Sequence, residues 1–205
     1  MSADVAAQVN AGANEAPPGA SPNDSSGGML AMPPRRASFA FMRAHPAHWL
    51  ALGFGSGLAP RAPGTVGTLW AWVSFMVFDR WLGPGGWALV IVVALAVGLW
   101  AATRTAQDLG VADPGAIVWD EVVAFWIVLW LVMPAPWWVQ GVAFALFRYF
   151  DAAKPGPVRW ADRLFKLHAG QAIGWRQGLG ILLDDLVAAG CTLLFIAVWV
   201  RLWNT

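Results

Sequence analysis

The amino-acid sequence predicts an all-α fold: a multi-spanning membrane helix bundle of about four or five helices, preceded by a disordered N-terminal tail. Two observations support this prediction. Hydrophobic residues make up 58% of the 205-residue chain and charged residues only 12%, about half the charged share of a typical soluble protein. Several long segments also carry no charge, and a spanning helix needs roughly 20 mostly apolar residues to cross about 30 Å of hydrocarbon.

The first part of the chain, residues 1–37, is predicted to be the disordered tail. It is rich in Ala, Pro, Gly, Ser and Asn and shows no apolar periodicity, so it cannot bury enough surface to become ordered. It also does not show the basic start and compact apolar stretch of a cleaved signal peptide, which argues against secretion. Residues 38–205 are expected to form the membrane domain.

Uncharged runs predict five helices in that domain. The run 81–103 is predicted to be one helix, and the run 122–147 a helical hairpin because Pro134 and Pro136 interrupt it. The fourth helix is short enough to be a re-entrant segment. The five helices are expected near residues 64–80, 86–103, 117–133, 137–150 and 183–202.

The distribution of charge predicts the orientation of these helices. Cytoplasmic loops near helix ends carry an excess of Lys and Arg, and with the N-terminus inside only Arg80 and Arg201 fall on the outer side. The same topology puts every acidic residue except Asp79 on the inner side. The most polar segments then meet at the cytoplasmic face: 53–68, 104–121 and 151–185.

Composition argues against nucleic-acid binding and against sites built from several cysteines. A net charge of +1 gives no basic surplus for binding nucleic acid. The single cysteine, Cys191, excludes an intrachain disulfide and a cysteine-only metal cluster.

Carboxylates beside apolar helices are the first candidates for a functional site. An ionised carboxylate near hydrocarbon must be paired, bind a metal or become protonated. Adjacent acids repel each other unless a cation lies between them, and carboxylate oxygens without nearby His or Cys suit Mg²⁺. The candidates are Asp120 with Glu121, Asp151 with Asp162, and Asp184 with Asp185.

The same acids could instead serve a structural or a transport role. They could form structural ion pairs, because Asp151 with Lys154 and Arg159 with Asp162 have the i,i+3 spacing of helical pairs. They could also line an ion pathway in a transporter or channel, although such acids would be spread through the depth of the membrane.

The glycine-rich segment 53–68 could bind an anion. It precedes an apolar helix, so its backbone N–H groups could face a phosphate. It does not match the P-loop pattern. Tight turning or close helix packing would account for the glycines equally well.

A cationic segment follows Asp151. Pro155 and Pro157 prevent a continuous helix there, so the bend could direct Lys154, Arg159 and Arg163 at phosphate oxygens. Contact with anionic lipid headgroups is the alternative.

In combination, four segments resemble the phosphatidylglycerophosphatase A family. The match covers roughly residues 47–200 in the family's order, although the linker 164–177 is longer than the family pattern and Ala152, Ala153 and Gly156 stand where bulkier residues are usual. The four segments are 53–68, Ile117-Val118-Trp119-Asp120-Glu121, the Phe147-Arg148 to Asp162-Arg163 block, and Gly178-Leu179-Gly180-Ile181-Leu182-Leu183-Asp184-Asp185.

The resemblance implies a membrane-integral enzyme that hydrolyses the terminal phosphate of a phospholipid, phosphatidylglycerophosphate, to give phosphatidylglycerol and phosphate. It implies Mg²⁺ as cofactor, a role in phospholipid biosynthesis, and a bacterial inner membrane location with the site facing the cytoplasm. A phosphatase for another lipid phosphate, or an ion-coupled transporter, is the alternative.

Combined with the arguments from charge, the resemblance gives three sets of expected site residues. The catalytic set is Asp120, Glu121, Asp151, Asp162, Asp184 and Asp185. The metal ligands are Asp120, Glu121, Asp184 and Asp185. The substrate-binding set is Gly55, Ser56, Gly57, Gly64, Thr65, Thr68, Lys154, Arg159 and Arg163.

Overall fold

The computed structural model describes residues 35–165 and 172–203. Within those ranges the regular structure is entirely helical, which confirms the predicted fold class. The elements are α1 Phe39–Arg43, α2 Pro46–Ala51, a short 3-10 helix Gly53–Leu58, α3 Pro63–Phe78, α4 Pro84–Leu109, α5 Trp119–Val132, α6 Trp137–Ala153, α7 Gly156–Leu164 and α8 Trp175–Trp203.

The predicted tail, residues 1–37, lies almost wholly outside the described residues. Its last part, residues 35–37, is described, and there the backbone N–H of Arg35 donates a hydrogen bond to the carbonyl of Leu109 at 2.8 Å. These residues therefore contact the end of α4.

The five predicted helices correspond to α3, α4, α5, α6 and α8, but two of them are longer than the uncharged runs. Helix α4 continues through Arg104 and Asp108 and ends where Gly110 adopts a left-handed φ of 69°, as is common at helix C-termini. Helix α8 begins at Trp175 instead of near residue 183. Both extensions contain polar residues, so a search for uncharged runs cuts them short.

Three short helices, α1, α2 and α7, were not predicted. The predicted break after Asp151 is confirmed, because Lys154 adopts a left-handed φ of 43° and ends α6. Pro157 then lies in the first turn of α7, where a missing N–H does no harm. The break turns α7 back so that it packs on α8.

Helix α5 lies at the centre of the bundle, in contact with α3, α4, α6 and α8. It is apolar on nearly all sides after its first turn, as a helix enclosed by neighbours must be. The indole N–H of Trp126 finds buried partners on α3, the carbonyl of Ala71 at 3.0 Å and the hydroxyl of Ser74 at 3.1 Å. The core thus fixes α5 relative to the helices around it.

Two helices, α4 and α8, are long and apolar enough to cross a membrane by length and composition. Helices α3, α5 and α6 have 16, 14 and 17 residues, which makes them about 21–26 Å long. Large apolar side chains such as Val73, Leu89 and Leu194 are exposed on the outside of the bundle. Exposed apolar surface of this extent fits a membrane location.

Close packing at Gly178 gives a stability prediction. A Cβ there would lie 2.1 Å from the Thr103 hydroxyl and 3.1 Å from the carbonyl oxygen of Leu99, so Gly178→Ala must push α8 away from α4. Gly190, on the same helix, has open space where its Cβ would be. We expect Gly178→Ala to lower the midpoint of thermal unfolding in detergent.

Gly190→Ala is the matched control, and it should leave the midpoint unchanged or raise it because alanine is the better helix former by about 1 kcal/mol. Equal midpoints for the two variants would contradict a close α4–α8 contact at this position.

Candidate active site

The start of α5 is held by backbone and indole hydrogen bonds. The N–H of Val118 donates to the carbonyl of Ala51 at 2.9 Å, and the indole N–H of Trp119 donates to the carbonyl of Ala94 at 3.0 Å. A Cβ at Gly98 would lie 2.6 Å from the Trp119 ring, so only glycine leaves room for that ring. These contacts fix the position of the two acids that follow.

Three carboxylates, those of Asp120, Glu121 and Asp185, meet between the first turn of α5 and the first half of α8; we call them the acidic triad. One oxygen from each lies within 4.8 Å of the others. A second observation concerns their hydrogen bonds: Asp120 Oδ1, Glu121 Oε2 and Asp185 Oδ2 are buried and have no partner among the described residues. Such oxygens are costly to bury, which points to a ligand that the described chain does not supply.

The acidic triad fits a hard divalent cation. Mg²⁺ binds carboxylate oxygens and water at about 2.0–2.1 Å, and the three oxygens are close enough to converge on one ion. Neither His nor Cys belongs to the group, which disfavours softer metals. Asp120, Glu121 and Asp185 are therefore the residues that could hold Mg²⁺.

Asp184, predicted as the fourth metal ligand, lies in a different group. The ammonium of Lys154 donates to Asp162 Oδ1 at 2.7 Å and also to Asp184 Oδ2; we call these three residues the Lys154 cluster. Successive residues on a helix are about 100° apart, so Asp184 and Asp185 can serve separate groups. Burial alone would lower the pKa of Lys154, but its two carboxylate partners outweigh that effect and raise the pKa above its usual value.

Arg148 is a site residue that the sequence analysis did not select. Its Nη1 donates to Asp151 Oδ2 at 2.5 Å and to the Thr68 hydroxyl at 3.4 Å, and lies 3.7 Å from Glu121 Oε1. The alternative i,i+3 pairing of Asp151 with Lys154 does not form, because Lys154 ends the helix and turns to the other group. The available signal was a lone cation three residues before Asp151 in an otherwise uncharged helix.

The second half of the glycine-rich segment borders the acidic triad. A Cβ at Gly64 would lie 2.2 Å from Glu121 Oε1 and 3.1 Å from the Arg148 guanidinium, so glycine lets the first turn of α3 approach these groups. One turn later, the hydroxyl of Thr68 donates to the Gly64 carbonyl at 2.8 Å. Thr65 is half-buried and lies in the chain between Gly64 and Thr68.

The first half of that segment contacts the chain just before the acidic triad. A Cβ at Gly57 would lie 2.0 Å from the carbonyl oxygen of Ala116. The Ser56 hydroxyl donates to the Gly53 carbonyl at 2.8 Å, and Gly55 has a left-handed φ of 104°, which glycine adopts most readily. The glycines of this half therefore serve close packing and tight turning.

Arg159 and Arg163 lie outside both charged groups. Both side chains are exposed on α7, and neither pairs with a carboxylate within the described ranges. Asp162, on the same helix, joins the Lys154 cluster instead. Of the three predicted phosphate-binding cations, the structure brings only Lys154 to the acids.

Comparison with known proteins finds relatives over the part of the chain that contains these groups. The family model for Phosphatidylglycerophosphatase A matches residues 49–200. The chain is 40% identical over 144 residues to Phosphatidylglycerophosphatase A of Escherichia coli strain K12, covering 70% of this chain and 77% of that protein. It is 38% identical over 146 residues to the protein of that name from Haemophilus influenzae, covering 71% and 83%.

A further relative has another name. A Bacteroides thetaiotaomicron protein, provisionally named phosphatidylinositol-3-phosphatase, is 37% identical over 159 residues, covering 72% of this chain and 91% of that protein. No solved structure matches the chain significantly.

Proposed function

The chain belongs to the phosphatidylglycerophosphatase A family and is a phosphatase, and on that basis we propose that it hydrolyses the terminal phosphate of phosphatidylglycerophosphate with the help of Mg²⁺. The observation that supports this most directly is the acidic triad, whose buried oxygens have no partner among the described residues, next to the guanidinium of Arg148. The ammonium of Lys154 is bound by Asp184, the chain neighbour of Asp185. Phosphoryl transfer depends mainly on positioning and on neutralising charge, which these groups can provide.

In this proposal each group has one task. The acidic triad holds Mg²⁺, which when bound neutralises phosphate charge and activates water. Arg148 keeps Glu121 and Asp151 in place, and the ammonium of Lys154 faces the phosphate oxygens. Asp151 and Asp162 are the candidates for orienting the attacking water and accepting its proton. The water oxygen bonds to phosphorus as the bond to the glycerol oxygen breaks, and that oxygen takes up a proton and leaves as a hydroxyl group.

We also propose that the chain crosses the bacterial inner membrane several times and that this site lies at the cytoplasmic face. The reaction would then serve phospholipid biosynthesis. The two long apolar helices support membrane insertion. Asp79 follows the end of α3, about 22 Å along the helix from Gly64, which borders the acidic triad, so Asp79 lies at the opposite end of that helix from the site. A lipid could then keep its acyl chains in the leaflet while its phosphate enters the site.

Phosphatidylinositol 3-phosphate is a second candidate substrate, because a relative at 37% identity is named for it. Membership of a phosphatase family argues against the transporter alternative. Either lipid phosphate would use the same triad and cations. A direct comparison of the two substrates is therefore needed to decide between phosphatidylglycerophosphate and phosphatidylinositol 3-phosphate.

Phosphate release by the full-length protein in detergent tests the proposed function. We expect release from phosphatidylglycerophosphate with Mg²⁺, none with excess chelator, and recovery when Mg²⁺ is added back, because the triad cannot neutralise phosphate charge by itself. Faster turnover of phosphatidylinositol 3-phosphate would favour the second candidate. Release that is unaffected by the chelator would contradict the role of the metal.

A further inference from the structure

The mechanism proposed above assigns no ligand to a small cavity beside the Lys154 cluster. Its volume is about 80 Å³, enough for roughly two or three water molecules. The loop after α4 contributes Asp113, α7 contributes Asp162 and Phe165, and α8 contributes Gln177 and Asp184. Because Asp162 and Asp184 also belong to the Lys154 cluster, the cavity adjoins the place where a phosphate would bind.

Gln177 presents its side-chain amide in the wall of this cavity. The residue is only 8% exposed, and its Oε1 accepts a hydrogen bond from the backbone N–H of Gly174 at 2.7 Å. Since a backbone N–H can only donate, this contact fixes which end of the amide is oxygen. The Nε2 group has no hydrogen-bond acceptor within residues 35–165 and 172–203, so it can donate to a ligand in the cavity.

Beside apolar residues such as Phe165 and Ile181, the wall also contains hydrogen-bond acceptors. They are the exposed carboxylate of Asp113 and the carboxylates of Asp162 and Asp184. This negative surrounding would repel a second phosphate group. A hydroxyl group matches it, because a hydroxyl both donates and accepts a hydrogen bond.

We propose that this cavity binds the free hydroxyl of the glycerol that carries the terminal phosphate in the substrate headgroup. Gln177 donates to the hydroxyl oxygen and Asp113 accepts the hydroxyl hydrogen. That hydroxyl sits on the carbon next to the one that bears the phosphate, which matches the adjacency of the cavity and the Lys154 cluster. This inference rests on the proposed function, and it makes Gln177 and Asp113 residues that determine headgroup specificity.

The test compares two lipids that differ only in this hydroxyl: phosphatidylglycerophosphate and its analogue with propane-1,3-diol in place of the glycerol. We expect the wild-type protein to prefer the natural lipid by roughly 10-fold in kcat/KM, because the analogue lacks the hydroxyl that the Gln177 amide and the Asp113 carboxylate bind. Gln177→Met removes the amide but keeps an unbranched side chain of similar size. It should lower kcat/KM for the natural lipid only, so that the preference falls to near one.

Two further variants keep the test decisive. Asp113→Ala, in an exposed loop, should also reduce the preference without disturbing folding. Gln107→Met makes the same chemical change at an exposed amide that donates to the Ile173 carbonyl at 2.9 Å, and it should keep the wild-type preference. An equal loss on both lipids in Gln177→Met would mean a structural role and overturn the inference, as would an unchanged preference in both cavity variants.

Wild-type turnover of phosphatidylglycerophosphate is measured first, because it tests the proposed function alone. Its absence would overturn that function and this inference together. Turnover with a preference that the cavity variants do not alter would overturn only the inference.

Discussion

Asp185→Asn is expected to abolish Mg²⁺-dependent phosphate release, with a loss in kcat/KM on the order of 1000-fold or more. The substitution keeps the shape of the side chain but removes one of three negative charges that face each other in the acidic triad. Without Mg²⁺, the folded Asp185→Asn variant should be at least as stable as the wild-type protein, because a buried carboxylate beside two like charges is replaced by a neutral group. Loss of activity could then not be attributed to unfolding.

The measurements are phosphate release and the midpoint of thermal unfolding with and without Mg²⁺. A ligand that binds the folded state raises the midpoint, and Asp185→Asn should lose that rise. Asp79→Asn is the matched control: Asp79 accepts a hydrogen bond from the Trp87 indole at 2.9 Å, which an asparagine oxygen can also accept, and it lies far from the triad. A wild-type Mg²⁺ response in Asp185→Asn would contradict a metal site at the triad.

Asp184→Asn distinguishes a metal site formed by the acidic triad alone from the site of four ligands predicted from the sequence. Because Asp184 pairs with Lys154, its substitution should reduce activity and leave the Mg²⁺-induced rise in the unfolding midpoint intact. If that rise is lost as well, Asp184 belongs to the metal site after all, and the predicted set of four ligands is correct.

The fold could be predicted from the apolar runs where helices are apolar to their ends. Helices α3, α5 and α6 begin and end within a few residues of the predicted bounds. Helices α4 and α8 were cut short because their polar ends are stabilised by packing on other helices, which a count of charges cannot detect. Gly178 is an example, because its close approach to Thr103 on α4 cannot be predicted from the sequence.

The six carboxylates could be selected as candidates because acids beside apolar helices need a partner or a ligand. How they group could not be predicted. Asp151 has a cation three residues before it and another three residues after it, and only the left-handed backbone at Lys154 decides between them. The approach of Gly64 to Glu121 depends likewise on how α3 and α5 pack, so the sequence left the purpose of the glycines undecided.

Arg148→Met is expected to reduce both stability and activity, and the two losses can be separated. The guanidinium lies between Asp151 and Glu121, whose side chains are only 13% and 12% exposed. Removing it leaves two largely buried carboxylates without their cation, which should destabilise the protein by about 3 kcal/mol. Arg148→Lys keeps the charge but not the planar group that can contact several partners, so it should be less unstable and still lose about 10- to 100-fold in kcat/KM.

The double variant Arg148→Met with Asp151→Asn distinguishes a positioning role from a purely structural one. Neutralising Asp151 removes one of the two uncompensated charges, so the thermal midpoint should recover part of the loss seen in Arg148→Met, and the coupling is read from the two single variants. Activity should not recover, because Glu121 still lacks the cation that holds it beside Asp120 in the triad. A double variant that regained both would show that Arg148 acts only by balancing Asp151, and the positioning of Glu121 would then have to come from Gly64 and the first turn of α5 alone.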